Sequence, residues 1–224
     1  MKTKIKKVNK KNKTIVNFIL DKSGSMSSVR DATISGFNEY LNTLKKDGNN
    51  YDFSLTLFDT EVKAVNVDTP IKKVDELNEK SYAPDGCTAL YDAVCKTVNE
   101  VKKKVKKGTK VLTVIMTDGE ENSSKEYTEK ELKTLITELE ATKMWSFVFL
   151  GANQDAWANA GKWGFSDLNV SNFNATGKGV GAVFAMMATN TASAMRGADF
   201  TTGGAGGGGK FFSQDNKDLL KKTK

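Results

Sequence analysis

The order of apolar patterns in this 224-residue chain predicts an α/β fold, a sheet covered by helices on both faces. Three observations carry that reading. Short β-branched runs alternate with amphipathic helical patterns, as crossover-connected parallel strands require. Two runs, Tyr51–Phe58 and Val62–Val67, are separated only by Asp59-Thr60-Glu61. That is too few residues for a crossover, so these two strands form an antiparallel hairpin. With 38% hydrophobic and 9% aromatic residues, the chain also has the material for a real core.

Thr14–Leu20 is a short apolar, β-branched run that ends in a polar loop, as a buried parallel strand does. The next pattern sets Ile34, Phe37, Tyr40, Leu41 and Leu44 on one helical face and closes on Lys45-Lys46-Asp47-Gly48. In Tyr51–Phe58 the apolar Phe53, Leu55 and Leu57 alternate with Asp52, Ser54 and Thr56, the period of a strand. Lys72–Lys80 has room for a short helical turn. Leu90, Val94, Val98, Val101 and Val105 then stack at helical spacing, and the Lys102–Lys110 cluster suits the negative end of that helix. Lys110–Met116 is the strongest buried strand, Thr128–Thr142 a helix, and Trp145–Leu150 a further strand. One or two helical turns are expected over Asp155–Ala160, a short strand within Ser166–Ala175, and a last helix over Lys178–Met195.

Composition excludes several chemistries. The chain has no histidine, which removes Ser-His-Asp triads, Cys-His dyads and imidazole bases. Its two cysteines cannot make a Cys₄ site. Cys87 and Cys95, placed on one helix, would stand about 12 Å apart, too far to bridge, and read as reduced thiols near the core. Of 34 Lys and Arg, seven lie in Met1–Lys13, which holds no acid, and the remaining 27 equal the 27 Asp and Glu. The net charge of +7 is therefore a basic arm on a balanced body, not a basic domain surface. The seven-residue apolar run after the arm contains Asn17 and stops at Asp21, unlike a signal peptide, and no stretch suits a membrane span. The expected setting is cytoplasmic. The chain divides into a basic arm over 1–13, a domain over 14–196, and a Gly-rich linker with a polar tail over 197–224.

In an open α/β sheet, ligands bind at the carboxyl ends of the strands. Three such ends are rich in oxygen donors. The first strand leads into Asp21-x-Ser23-x-Ser25, the loop before the Leu90 helix holds Thr88, and Lys110–Met116 leads into Asp118. Two carboxylates and three hydroxyls make a hard oxygen set suited to Mg²⁺ or Mn²⁺. Gly24 lets the chain curl so that both serine hydroxyls face one centre. Helix capping accounts for the serines or for Thr88 singly, but not for three coincident strand ends.

These five residues, together with Phe58-Asp59, Gly86–Ala93 and Met116–Asn122, resemble a von Willebrand factor A (vWA) domain carrying a metal-ion-dependent adhesion site, of the prokaryotic or phage intracellular type. The resemblance spans Thr14 to Met195 and departs at Cys87, where a second glycine is common. It implies a doubly wound, mostly parallel six-stranded sheet with one antiparallel edge strand, Rossmann-like in its layers. It implies that Ser23, Ser25 and Thr88 ligate the metal directly while Asp21 and Asp118 often act through water. The open position then takes an Asp or Glu of a protein partner. Asp59, Asp85, Glu120, Glu121 and Asn122 are expected on the rim, in reach of that partner.

The implied function is metal-dependent protein binding without catalysis. A metal-dependent hydrolase would use Asp118 or Glu120 as base. A phosphoaspartate enzyme would want a second acid where Ser23 stands, and Gly177-Lys-Gly-Val-Gly follows no clear strand as a phosphate loop would. Nucleic-acid binding through the Lys arm is the other alternative and is not favoured; no membrane partner is expected. Trp145, Phe147 and Phe149 read as core. Trp157, Trp163 and Phe165 suit either core packing or a partner surface, and Phe211-Phe212 and Leu219-Leu220 suit either docking on a partner or folding back.

Overall fold

The computed structural model describes residues 14–47, 51–152, 159–166, 169–195, 211–213 and 220. Six strands form one sheet: β1 (Thr14–Asp21), β2 (Asp52–Phe58), β3 (Val62–Pro70), β4 (Lys110–Thr117), β5 (Trp145–Gly151) and β6 (Val170–Asn172), in the order β3-β2-β1-β4-β5-β6. Among the described residues only the β2–β3 pair is antiparallel. The helices are α1 (Arg30–Lys46), α2 (Leu90–Lys104), α3 (Glu129–Ala141) and α4 (Gly177–Met195). A 3₁₀ segment, Gly24–Val29, joins β1 to α1, and a shorter one, Ile71–Lys73, follows β3. Among the described residues no helix is long and apolar enough to cross a membrane.

The pleat divides the core into two layers. Val16, Phe18 and Leu20 of β1 face α1 and α4, while Ile15 and Ile19 face α2 and α3. Phe18 centres the first layer, with the rings of Phe37, Tyr40, Phe53 and Phe184 between 5.5 and 6.5 Å away. Gly36 lets α4 approach α1, because a Cβ there would stand 2.5 Å from the Phe184 ring. In the second layer Trp163 packs edge-on against Phe149 and Tyr91, at 5.5 and 5.9 Å.

One expectation, the shared helix of the cysteines, is corrected, and two open ones are resolved. Strand β2 is buried along its whole length, because helices cover both of its faces. Its polar residues serve inside the sheet: Ser54 Oγ accepts the Asp68 N–H at 3.0 Å where β3 bulges away from β2. Cys87 lies exposed in the loop before α2, so the cysteines do not share a helix; Cys95 alone is buried. Trp163 and Phe165 are core residues, each 5% exposed. Phe212 and Leu220 fold back into the α1–α4 layer. The Lys arm, Trp157, Leu219 and most of the Asp155–Ala160 turn lie outside the described residues.

The edge of the sheet creates one titrating group. Strand β5 extends beyond the three-residue β6, and Glu140 Oε1 accepts the Phe147 N–H there at 3.4 Å. Burial pushes this carboxyl up from 4.5 to about 7, against the pull of that hydrogen bond. The folded state therefore holds the proton more tightly than the unfolded chain. The associated stability is complete below pH 4.5 and lost as pH rises through 7. Glu140→Gln is expected to flatten that decline in chemical denaturation between pH 5 and 8. At pH 8 it gains about 1–2 kcal/mol over the parent, the shift being discounted for the group's partial exposure. Gly36→Ala, which drives a methyl into the Phe184 ring, is expected to cost about 1–3 kcal/mol by the same measurement.

Candidate metal centre

The parallel register brings the carboxyl ends of β1, β2 and β4 to one edge, where Asp21 pairs with Phe58 and Leu20 with Met116. Asp21, the last residue of β1, is fully buried. Its Oδ1 accepts the Ser23 N–H at 2.6 Å, its Oδ2 accepts the Thr117 hydroxyl, and its backbone carbonyl accepts the buried Tyr82 hydroxyl at 2.6 Å. The chain then enters the 3₁₀ segment. The Gly24 N–H donates to the Gly86 carbonyl at 3.0 Å and so ties the first loop to the loop that carries Thr88. Gly86 has φ +71°, a backbone conformation that favours glycine.

The five predicted ligands come together. Ser23 Oγ and Ser25 Oγ are 3.1 Å apart, and Ser25 Oγ donates to Asp118 Oδ1 at 2.5 Å. Gly119 closes the ring: a Cβ built on it would stand 2.5 Å from Thr88 Oγ1 and 3.5 Å from both Asp21 Oδ2 and Ser23 Oγ. Asp21, Ser23 and Thr88 are buried, whereas Ser25 is exposed and Asp118 half-buried, so the group opens to solvent on one side.

The electrostatics suit a cation. Burial raises the Asp21 carboxyl from 3.8 to about 6; the hydrogen bonds from Thr117 and Ser23 oppose this, and the Asp118 charge adds to it. Burial also raises Asp118, against the Ser25 hydroxyl. Two carboxyls pressed toward neutrality within a ring of hydroxyls favour an incoming positive charge. Among the described residues no three Asp, Glu or Cys side chains are grouped to hold a metal, so the hydroxyls supply most of this donor set. Five oxygen-bearing side chains, two of them carboxylates, around a cradle that a methyl would fill, fit a small hard dication such as Mg²⁺ or Mn²⁺.

The expected rim residues lie around this ring with distinct partners. Asp59 is buried, pairs with the Lys22 ammonium and accepts the Glu61 N–H at 2.7 Å. Asp85 is exposed and accepts the Gly86 N–H at 2.7 Å, while Glu120 is exposed. Asn122 Oδ1 accepts the Thr88 N–H at 2.9 Å, and Glu121 Oε2 accepts the Tyr91 N–H at 3.0 Å. Sequence reasoning missed Thr117, Tyr82 and Lys22. Thr117 was within reach, because it precedes Asp118 at the end of β4, but its contact with Asp21 depends on strand register. No sequence signal marks Tyr82.

No protein-family model matches the chain, and no curated protein sequence matches it. Solved structures do. Proximal thread matrix protein 1 from the mussel byssus, solved with a zinc-occupied MIDAS motif, superposes with a TM-score of 0.58 at 12% identity, over 78% of this chain and 47% of that one. A von Willebrand factor type A structure from Catenulispora acidiphila gives 0.57 at 14% identity, over 81% and 43%. The open conformation of the pilus adhesin SpaC from Lactobacillus rhamnosus GG gives 0.63 at 12%, over 82% and 30%. The chain thus spans less than half the length of each of these proteins. With its six-stranded, mostly parallel sheet and single antiparallel edge pair, the chain has the fold of von Willebrand factor A domains.

Proposed function

We propose that this chain is a divalent-metal-dependent protein-interaction module, with no catalysis of its own, that engages an Asp or Glu of a partner. The observation that carries the reading is the convergence of Asp21, Ser23, Ser25, Thr88 and Asp118 from three separate loops around one cradle beside Gly119. The zinc-occupied MIDAS motif of the byssus protein and the adhesin fold of SpaC support it by analogy of fold.

Ser23, Ser25 and Thr88 would hold the metal through neutral oxygens, with Asp21 and Asp118 balancing its charge. Bound there, Mg²⁺ or Mn²⁺ supplies an electrophilic vertex for a partner carboxylate. The protein's own part is to keep the ring assembled. Thr117 and the Ser23 amide hold both oxygens of Asp21, so the carboxylate cannot rotate away. Ser25 holds Asp118 toward the open side. Gly119 keeps the centre clear.

Magnesium is expected to raise the melting temperature of the wild-type chain by mass action, about 2.7 kcal/mol of stabilisation at a hundredfold excess over Kd. Gly119→Ala and Ser23→Ala are expected to abolish that increment. In pull-downs, a partner is expected with wild type in Mg²⁺ and lost in EDTA or with Ser23→Ala; equal recovery in all four conditions would contradict the reading. Sustained turnover of a phosphoester in Mg²⁺ or Mn²⁺, abolished by Asp118→Ala, would show an enzyme instead.

A further inference from the structure

Asn122, which is exposed, and Glu121, which is half-buried, lie where a partner-contacting rim is expected, and both also bond the backbone beside the site. Asn122 clasps the backbone of Thr88 on both sides. Its Oδ1 accepts the Thr88 N–H at 2.9 Å, and its own N–H donates to the Thr88 carbonyl at 3.0 Å. Glu121 spends both oxygens on backbone and hydroxyl donors: Oε1 accepts the Ser123 and Ser124 N–H groups at 3.0 and 2.8 Å, and Oε2 accepts the Tyr91 N–H at 3.0 Å and the Ser124 hydroxyl at 2.7 Å. From the other side of the seam, Asp92 of α2 is 6% exposed and accepts the N–H groups of Lys125, Glu126 and Tyr127 at 3.0, 3.0 and 2.8 Å. The loop that follows Asp118 and the start of α2 that follows Thr88 are thereby locked together by reciprocal side-chain bonds.

We propose that Asn122, supported by Glu121 and Asp92, is a positioning residue that fixes Thr88 relative to Asp118 and so pre-organises the metal centre. This rests on the metal-site reading above and deepens it. Thr88 and Asp118 come from segments about thirty residues apart, and a neutral hydroxyl is a weak ligand whose value depends on being held in place beforehand. The Thr88 side chain is one rotatable bond from the clasped backbone, and its Oγ1 already borders the Gly119 cradle. Loss of a partner that orients a metal ligand typically costs about 10–100-fold in metal affinity. A residue that only met a partner protein would leave that affinity unchanged.

The test is Mn²⁺ affinity of the full chain without any partner, by calorimetry or electron paramagnetic resonance, beside the melting temperature in EDTA. Asn122→Ala is expected to weaken Mn²⁺ binding about tenfold or more. Asn122→Asp, which keeps an oxygen to accept the Thr88 N–H, is expected to stay close to wild type. Both variants should melt alike in EDTA. Glu121→Gln, which turns an acceptor into a donor facing an N–H, gives an independent variant if Asn122→Ala fails to fold, with the same expected weakening. Wild-type affinity in Asn122→Ala, or equal weakening in both Asn122 variants, overturns the positioning role while leaving the metal site standing. Mn²⁺ binding by wild type no tighter than by Ser23→Ala overturns the metal site and the positioning role together.

Discussion

A carboxylate buried at the end of the central strand is the constraint on which the candidate site depends. Asp21 is fully buried, and an ionised carboxylate in that position is costly unless its oxygens are met. The surrounding structure is arranged to meet them. Thr117 arrives from the neighbouring strand, the Ser23 amide from the turn that follows, and the Tyr82 hydroxyl holds the adjoining carbonyl. These bonds only partly offset burial, as the raised Asp21 carboxyl shows. A dication beside Asp21 and Asp118 would offset the remainder, so the polar cost of this strand end and the proposed binding chemistry share one origin.

Much of the fold was legible in the sequence because its central strands are buried on both faces. Thr14–Asp21, Lys110–Thr117 and Trp145–Gly151 are predominantly apolar runs, and the three-residue separation between β2 and β3 left no topology but a hairpin. The apolar spacing over Thr128–Thr142 marked the helix, and the structure starts it at Glu129 behind a reciprocal cap between Thr128 and Glu131. The alternating polar residues of β2 are buried with the rest of the strand, and Ser54 meets the Asp68 N–H at the bulge of β3, a contact that needs the pairing of the two strands to be known. Trp163 and Phe165 gave no periodic signal because they lie in irregular chain, and only packing against Phe149 shows them to be core.

The site was legible in its donors and not in its supports. A serine, threonine or aspartate at a strand end can be read from one segment, and five such positions form a pattern. Thr117 touching Asp21 requires the register of β1 against β4, and Asn122 clasping Thr88 requires two loops distant in sequence to meet. The same limit hides a second role of two expected rim residues: Glu121 and Asn122 supply acceptors to backbone amides where a loop is pinned to a helix, which a linear pattern does not show.

Diffraction from crystals of this chain soaked in manganese, with data collected for anomalous scattering, addresses the central claim most directly. The account requires one strong peak beside Gly119, within ligand distance of Ser23, Ser25 and Thr88, and with Asp21 and Asp118 in its first or second sphere. An empty cradle at saturating manganese, with those oxygens turned away from one another, would contradict it.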